Sequence, residues 1–215
     1  MPRNSGDRPW RDRLRVSRPL RRGTTHSRSG HVINGFAEKL VIANLTAPQF
    51  IQVLETLHML GNAGAGIELS SLSTDVLVDI VSRASRDQLK AIAEHPDLRS
   101  VFLDEIFRRM SEQFLPHRAK HVDFVVSWRF SEGSGEDGYD RFQTVIEDGV
   151  CVSSMDLART PDTTITLSVD DFIRMATGNA AVAAMFVTGR VKVKGEYAPA
   201  VRFSSYFDIP KSSAD

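Results

Sequence analysis

The apolar positions of this chain change period once. From about Phe36 to His117 they recur at a helical spacing of about 3.6, and after His121 they alternate with polar residues at a spacing of two. A helical region therefore precedes one rich in strands. In the first, Thr46 supplies a hydroxyl cap, Pro48 sits in the first turn and Gln49 answers the cap. The stripe Phe50, Val53, Leu54, Leu57 and then Met59 or Leu60 follows and stops at GNAGAG. Ser73 opens a second helix with Val76, Leu77, Ile80 and Val81 on one face. Ser85 with Gln88 opens a third, ended by Pro96, because proline disfavours helix in the residue ahead of it. From Asp97 the positions Leu98, Val101, Phe102, Ile106, Met110 and Phe114 fit a longer fourth helix, closed by Pro116.

In HVDFVVSWRF, Val122, Phe124, Val126, Trp128 and Phe130 share one face of a half-buried strand. DRFQTVIEDGVCVSSM reads as a hairpin turning at Asp148-Gly149, a pair suited to positive backbone angles. TTITLS is another strand. Ser168 then caps a short helix with Asp170 and Asp171 at the positive end of its dipole. NAAVAAMFVTG forms a second apolar turn or helix, and the stops are Gly178 and Gly189. RVKVKG and PAVRFSSYF read as the last two strands, the former with Val191 and Val193 inward and Lys192 and Lys194 in solvent. The segments with strand character serve an α+β fold: an N-terminal helical region packed beside a five-stranded, mostly antiparallel sheet with helices on one face. The expected divisions are a disordered basic tail over 1–34, a helical region over 35–118 and a second domain over 119–210.

Composition changes this picture little. With 41% hydrophobic residues among 215 there is enough for a real core, and the formal net charge is zero. That zero conceals an asymmetry, since residues 1–34 carry nine arginines against Asp7 and Asp12. Without apolar periodicity the segment reads as a solvated tail, or as translation upstream of a later start, suited at most to weak contact with an anionic membrane. Nucleic-acid binding would rest on it alone and is not expected. No apolar run long enough to span a membrane and no secretory leader is apparent, so a cytoplasmic location is expected.

Candidate chemistry is sparse, and no cofactor is called for. His117 and His121 have the spacing of a metal pair on a helix, but no Glu lies between them and Pro116 interrupts the helix. GNAGAG follows a helix rather than a strand and lacks a phosphate-gripping lysine. Ser153 and Ser154 have no partner base, Asp170 and Asp171 are explained as capping residues, and Cys151 between two valines reads as a small strand residue. No acid, base and nucleophile converge, which argues against an enzyme. The apolar residues say more: Phe172, Ile173, Met175 and Ala176, then Val182, Met185, Phe186 and Val187, stand among alanines. Large flexible side chains beside small ones either pack closely on a sheet or border a void that a ligand fills.

The ordered stretch TTITLSVDDFIRMATGNAAVAAMFVTGRVKVKGEYAPAVRFSSYF, residues 163–207, resembles the core of the sterol carrier protein 2 family. Thr177-Gly178, the Phe186 to Gly189 turn and the basic-apolar run from Arg190 to Glu196 stand in the family's order. DFVVSWRF and YDRFQTVIEDGVCV are similar to its first strands, so the likeness covers about 120–210. The segment from Phe102 to Phe130 further resembles a group of actinobacterial proteins that place a helical region ahead of this domain. The resemblance implies an apolar tunnel holding a sterol, fatty acyl or other lipid, without catalysis. By face and position Phe172, Met175, Ala176, Val182, Met185 and Phe186 would line it, with Val126 and Trp128 from the sheet. Glu196 replaces the family's usual Asp, and Asn179-Ala180 its common Lys. IPKSSAD lacks a peroxisomal ending. The alternative is an interaction or oligomerisation module with the same fold and a filled interior; a void of roughly 300 Å³ or more separates the two. The lipid and the oligomeric state are not legible.

Overall fold

The computed structural model describes residues 41–62, 69–135 and 137–210. The basic tail, the 63–66 part of GNAGAG and residues 211–215 lie outside the described residues. Helices α1 (Ala47–Asn62), α2 (Thr74–Arg83), α3 (Arg86–Glu94) and α4 (Pro96–Glu112) come first. Their starts follow the capping residues. The Thr46 amide donates to Gln49 Oε1 at 3.0 Å, Ser73 accepts from the Val76 amide, and Ser85 and Gln88 close a reciprocal box. Gln88 does a second job, donating its amide to the carbonyls of Ile42 and Leu45 at 2.9 and 2.7 Å and so tying the chain before α1 to α3.

The strands are β1 (Phe124–Ser131), β2 (Tyr139–Glu147), β3 (Val150–Ser154), β4 (Thr163–Leu167) and β5 (Lys192–Gly195), in the order β3-β2-β1-β4-β5. Three of the four pairings are antiparallel and β1 with β4 is parallel. The parallel pair is reached after the β2–β3 hairpin, whose turn residues Asp148 and Gly149 have φ of 53° and 71°. Between β4 and β5 lie α5 (Val169–Ala176), capped by Ser168, and α6 (Val182–Val187); α7 (Tyr197–Arg202) and a 3-10 turn, Phe203–Tyr206, follow β5. PAVRFSSYF is therefore helical and not a strand, which corrects the sequence reading. Tyr197, Ala200, Val201 and Ser204 recur at helical spacing, and Pro199 is tolerated in a first turn whose amides need no partner.

One sheet face is buried and the other carries Ser127, Arg129, Thr164, Thr166, Lys192 and Lys194. Val191 is buried and Lys192 and Lys194 are exposed, as the alternation requires. On the buried face α4 packs on α5, and α3 reaches α5 as well, so both regions share one apolar core. Buried charges fix the registry. Arg99 Nε meets Asp140 at 2.5 Å and gives its other donors to the carbonyls of Ala93, Phe130 and Ser131, which joins α4 to β1 and β2. Arg109 Nε meets Glu105 at 2.5 Å and also bonds the Leu72 carbonyl at 2.8 Å. Burial opposes ionisation of Glu105, but hydrogen bonds from Arg108 and Arg109 outweigh it and hold the carboxyl below its usual range.

Candidate binding cavity

One row of inward residues shows where space is left. Across the sheet, Phe142, Trp128, Ile165 and Val193 stand opposite one another in β2, β1, β4 and β5. The Phe142 end is filled: Phe107 of α4 stacks on Phe142 with centroids 4.6 Å apart, and Phe172 of α5 lies 5.0 Å from Phe107, 4.9 Å from Phe130 and 5.3 Å from Trp128. The Val193 end is not filled. There a void of about 400 Å³ lies between the sheet edge and α6 and α7.

Every surrounding element contributes to the lining of this void. The sheet side supplies Trp128, Ile165, Val191 and Val193; α5 supplies Met175 and Ala176; α6 supplies Val182, Ala183, Phe186 and Val187. From α7 and the chain beyond it come Tyr197, Ala200, Val201, Phe203, Ser204, Phe207 and Ile209, and from the end of α4 Met110 and Gln113. None of these is charged. The C-terminal segment is held as a wall by backbone bonds, Leu115 to the Tyr206 carbonyl at 2.8 Å and Asp208 to the Gln113 carbonyl at 2.9 Å. Gly178, with φ +71°, ends α5 where the Pro210 carbonyl passes 2.2 Å from the place a Cβ would occupy, so a side chain there would displace the wall. Asp171 on α5 receives both Nε and Nη2 of Arg190, fastening the chain after α6 back to the core. Burial, and then the neighbouring charge of Asp170, push the Asp171 carboxyl up against the pull of Arg190.

The void opens through a rim of exposed apolar groups. Val187 is 84% and Val201 59% accessible, and Phe186 and Tyr197 are exposed with their rings 5.2 Å apart. Side chains that line a cavity and face solvent at once form its mouth.

Of the residues singled out in the sequence, Met175, Ala176, Val182, Phe186 and Trp128 border this void, and Phe172, Met185 and Val126 do not. Each absence has a geometric cause. Phe172 lies one turn before Ala176, under Phe107, and is fully buried in the aromatic cluster. Val126 belongs to the next row of the sheet, opposite Thr144 and Thr163. On α6 the residues 182, 183, 186 and 187 share one face, and Met185 points away from it into the core. Ala183 and Val187 were readable from that spacing. The contribution of α7 was hidden by its reading as a strand.

Other candidate chemistry does not converge here. His117 and His121 are exposed beside the 3-10 turn Pro116–Arg118, and among the described residues no group of three His, Cys, Asp or Glu is placed to hold a metal. Burial pushes the Cys151 thiol up to about 12, which leaves it protonated on β3.

The model of the SCP-2 sterol transfer family matches residues 103–208, a segment that holds the whole sheet and every residue lining the void except Ile209. Residues 103–208 belong to the SCP-2 sterol transfer family. The SCP-2 segment begins inside α4, so the helix bearing Phe107, Met110 and Gln113 is part of it. Bovine hydroxysteroid dehydrogenase-like protein 2 is 28% identical over 107 residues, half of this chain, and the match spans about a quarter (25%) of that protein's length. Among solved structures, sterol carrier protein 2 from Aedes aegypti in complex with palmitate is 15% identical, with 51% of this chain and 97% of that one covered and a TM-score of 0.40. An inverting sec-alkylsulfatase from Pseudomonas sp. is 13% identical, with 86% of this chain and 33% of that one covered and a TM-score of 0.42. Among the described residues no helix is long and apolar enough to cross a membrane.

Proposed function

We propose that this chain binds a lipid in the cavity between the sheet edge and α6 and α7, without catalysis, and passes it between membranes or partners. The observation that carries the reading is an uncharged void of about 400 Å³ opening through exposed Phe186, Val187, Tyr197 and Val201. A sterol, fatty acyl or other chain drawn into it leaves water at a gain of about 0.8 kcal/mol per methylene. The walls bring no acid, base or nucleophile together, so sequestration rather than turnover fits the lining. Membership of the SCP-2 sterol transfer family supports lipid binding in general. A module with a filled interior would not leave a void above the roughly 300 Å³ expected of a ligand site. A cytoplasmic location, with the arginine-rich 1–34 tail making weak contact with anionic membranes, belongs to the same reading.

The test is to purify the full chain without detergent, extract it with organic solvent and seek a stoichiometric lipid by mass spectrometry. One lipid per chain is expected. A chain that yields none, and takes up neither sterol nor acyl fluorescent probes, would overturn the reading.

A further inference from the structure

The lining is not uniformly apolar: besides the Tyr197 phenol at the mouth it carries Gln113 and Ser204. Gln113 ends α4, Ser204 lies in the 3-10 turn after α7, and the two segments are paired through Phe114 and Phe207 and through the Asp208 amide on the Gln113 carbonyl. Neither side chain has a hydrogen-bond partner among the described residues. A carboxamide and a hydroxyl left free in an otherwise apolar wall are groups for a ligand to meet. Beside them, sharing Met110, Gln113 and Ala176 with the cavity, is a second void of about 20 Å³ edged by Thr74, Arg109 and Thr177. That is room for about one water against polar neighbours. The mouth, by contrast, is formed by Phe186, Val187, Tyr197 and Val201.

Charge is the other half of the argument. No lysine or arginine lines the cavity. Two cations stand near its polar end: Arg109 is spent on Glu105, the Thr74 hydroxyl at 3.1 Å and the carbonyls of Leu69 and Leu72, and Arg118 donates to the Ser205 carbonyl at 3.2 Å from outside the lining. A carboxylate or phosphate brought to Gln113 would lose its water without gaining a counter-ion, whereas a hydroxyl would both donate to the Gln113 carbonyl oxygen and accept from Ser204 or the Gln113 amide. We propose that Gln113 and Ser204 are the head-group site of the cavity, and that its ligand is a lipid with an uncharged hydroxyl head, a sterol or long-chain alcohol, bound with its head at that pair. The inference rests on the lipid-binding reading above and narrows it.

Displacement of diphenylhexatriene, a hydrocarbon probe with no head, from the full-length protein tests it at pH 9. The competitors are hexadecanol, hexadecanoate and hexadecane. Hexadecanol is expected to compete at about tenfold lower concentration than the other two, the worth of one well-made hydrogen-bonded head. In Gln113→Leu combined with Ser204→Ala that advantage over hexadecane disappears while the probe stays bound, which also reports that the cavity is intact. Gln113→Arg supplies the missing cation and should turn the preference toward hexadecanoate. Hexadecanoate competing as well as hexadecanol in the wild-type chain, or an undiminished hexadecanol advantage in the double variant, overturns the inference and leaves lipid binding standing. If neither the probe nor any competitor binds, both readings fall.

Discussion

The two ends of one sheet face solve the same problem in opposite ways. Around Phe142 the space above the strands is closed by Phe107, Phe130, Phe172 and Trp128, rings large enough to meet at centroid distances from 4.6 to 6.5 Å. Around Val193, in the same row, the covering helices bring alanine and valine, with Phe186 and Tyr197 only at the rim, and about 400 Å³ is left. Trp128 borders both, its indole donating to the Thr144 hydroxyl at 2.9 Å, so it is a fixed partition rather than a movable side chain. The buried pair Arg99–Asp140 joins α4 to the strands at the filled end, whereas Arg109–Glu105 and Asp171–Arg190 stand at the border of the hollow one. A fold holds a cavity open by concentrating its aromatic packing to one side of it and tying the walls of the other with buried ion pairs.

The contrast is broken most severely at the filled end. Phe172→Ala removes a ring in contact with three others and should lower the unfolding free energy by about 3 to 5 kcal/mol in urea titration; a loss under about 1 kcal/mol would mean that the aromatic cluster is not what supports the void. Next comes Glu105→Gln, which leaves Arg109 buried against a neutral partner and should cost about 3 kcal/mol at neutral pH. Its pH dependence has a definite sign. Glu105 has a folded pKa below its ordinary 4.5, so its contribution is present above that value and is lost as pH falls through the folded pKa. Asp140, where hydrogen bonds from Arg99 and Ser134 outweigh burial, behaves alike below 3.8, and Asp171, raised chiefly by burial, slopes the other way. The difference between wild type and Glu105→Gln therefore isolates the Glu105 part: their stabilities should converge as pH falls below 4.5 and through the folded pKa. Parallel curves would refute the assignment.

How much of this was legible depends on whether local rules or tertiary ones decide. The caps at Thr46, Ser73, Ser85 and Ser168 and the Asp148-Gly149 turn involve residues at most three apart, and each stands where the sequence placed it. The alternation of Val191, Lys192, Val193 and Lys194 survives for the same reason. PAVRFSSYF was misread because Val201, Phe203 and Phe207 fall at even spacing, while Ala200, Phe203 and Phe207 equally fit a period of 3.6, and local pattern does not choose between the two. The cavity was legible in part. Met175, Ala176, Val182 and Phe186, named from composition and face, border the void, while Phe172 and Met185 share that composition and are turned into the core by helix phase. Arg190, read as the start of a strand, could be matched with Asp171 only once α6 was folded back between them.

At the hollow end the effects on stability should be small and those on binding large. Ala183→Trp places a ring on the exposed face of α6 across the mouth; unfolding free energy should change by less than about 1 kcal/mol, since no packed neighbour is displaced, while uptake of a lipid probe falls at least about tenfold. The finest distinction concerns the rim alone. Val187 and Val201 are too exposed to stabilise the fold, so replacing both by Gln should shift stability by no more than about 0.5 kcal/mol. If their exposure serves entry of a lipid, the double variant should hold a probe delivered from solution nearly as well as wild type yet extract it from vesicles several-fold more slowly, because the apolar contact with the bilayer surface has been removed and the chamber behind it has not. Met155, as exposed as Val201, just past β3 and absent from the cavity, supplies the control: Met155→Gln should leave both rates unchanged. Equal slowing by the Met155 change would show that total surface hydrophobicity governs extraction and that the rim has no special part in it.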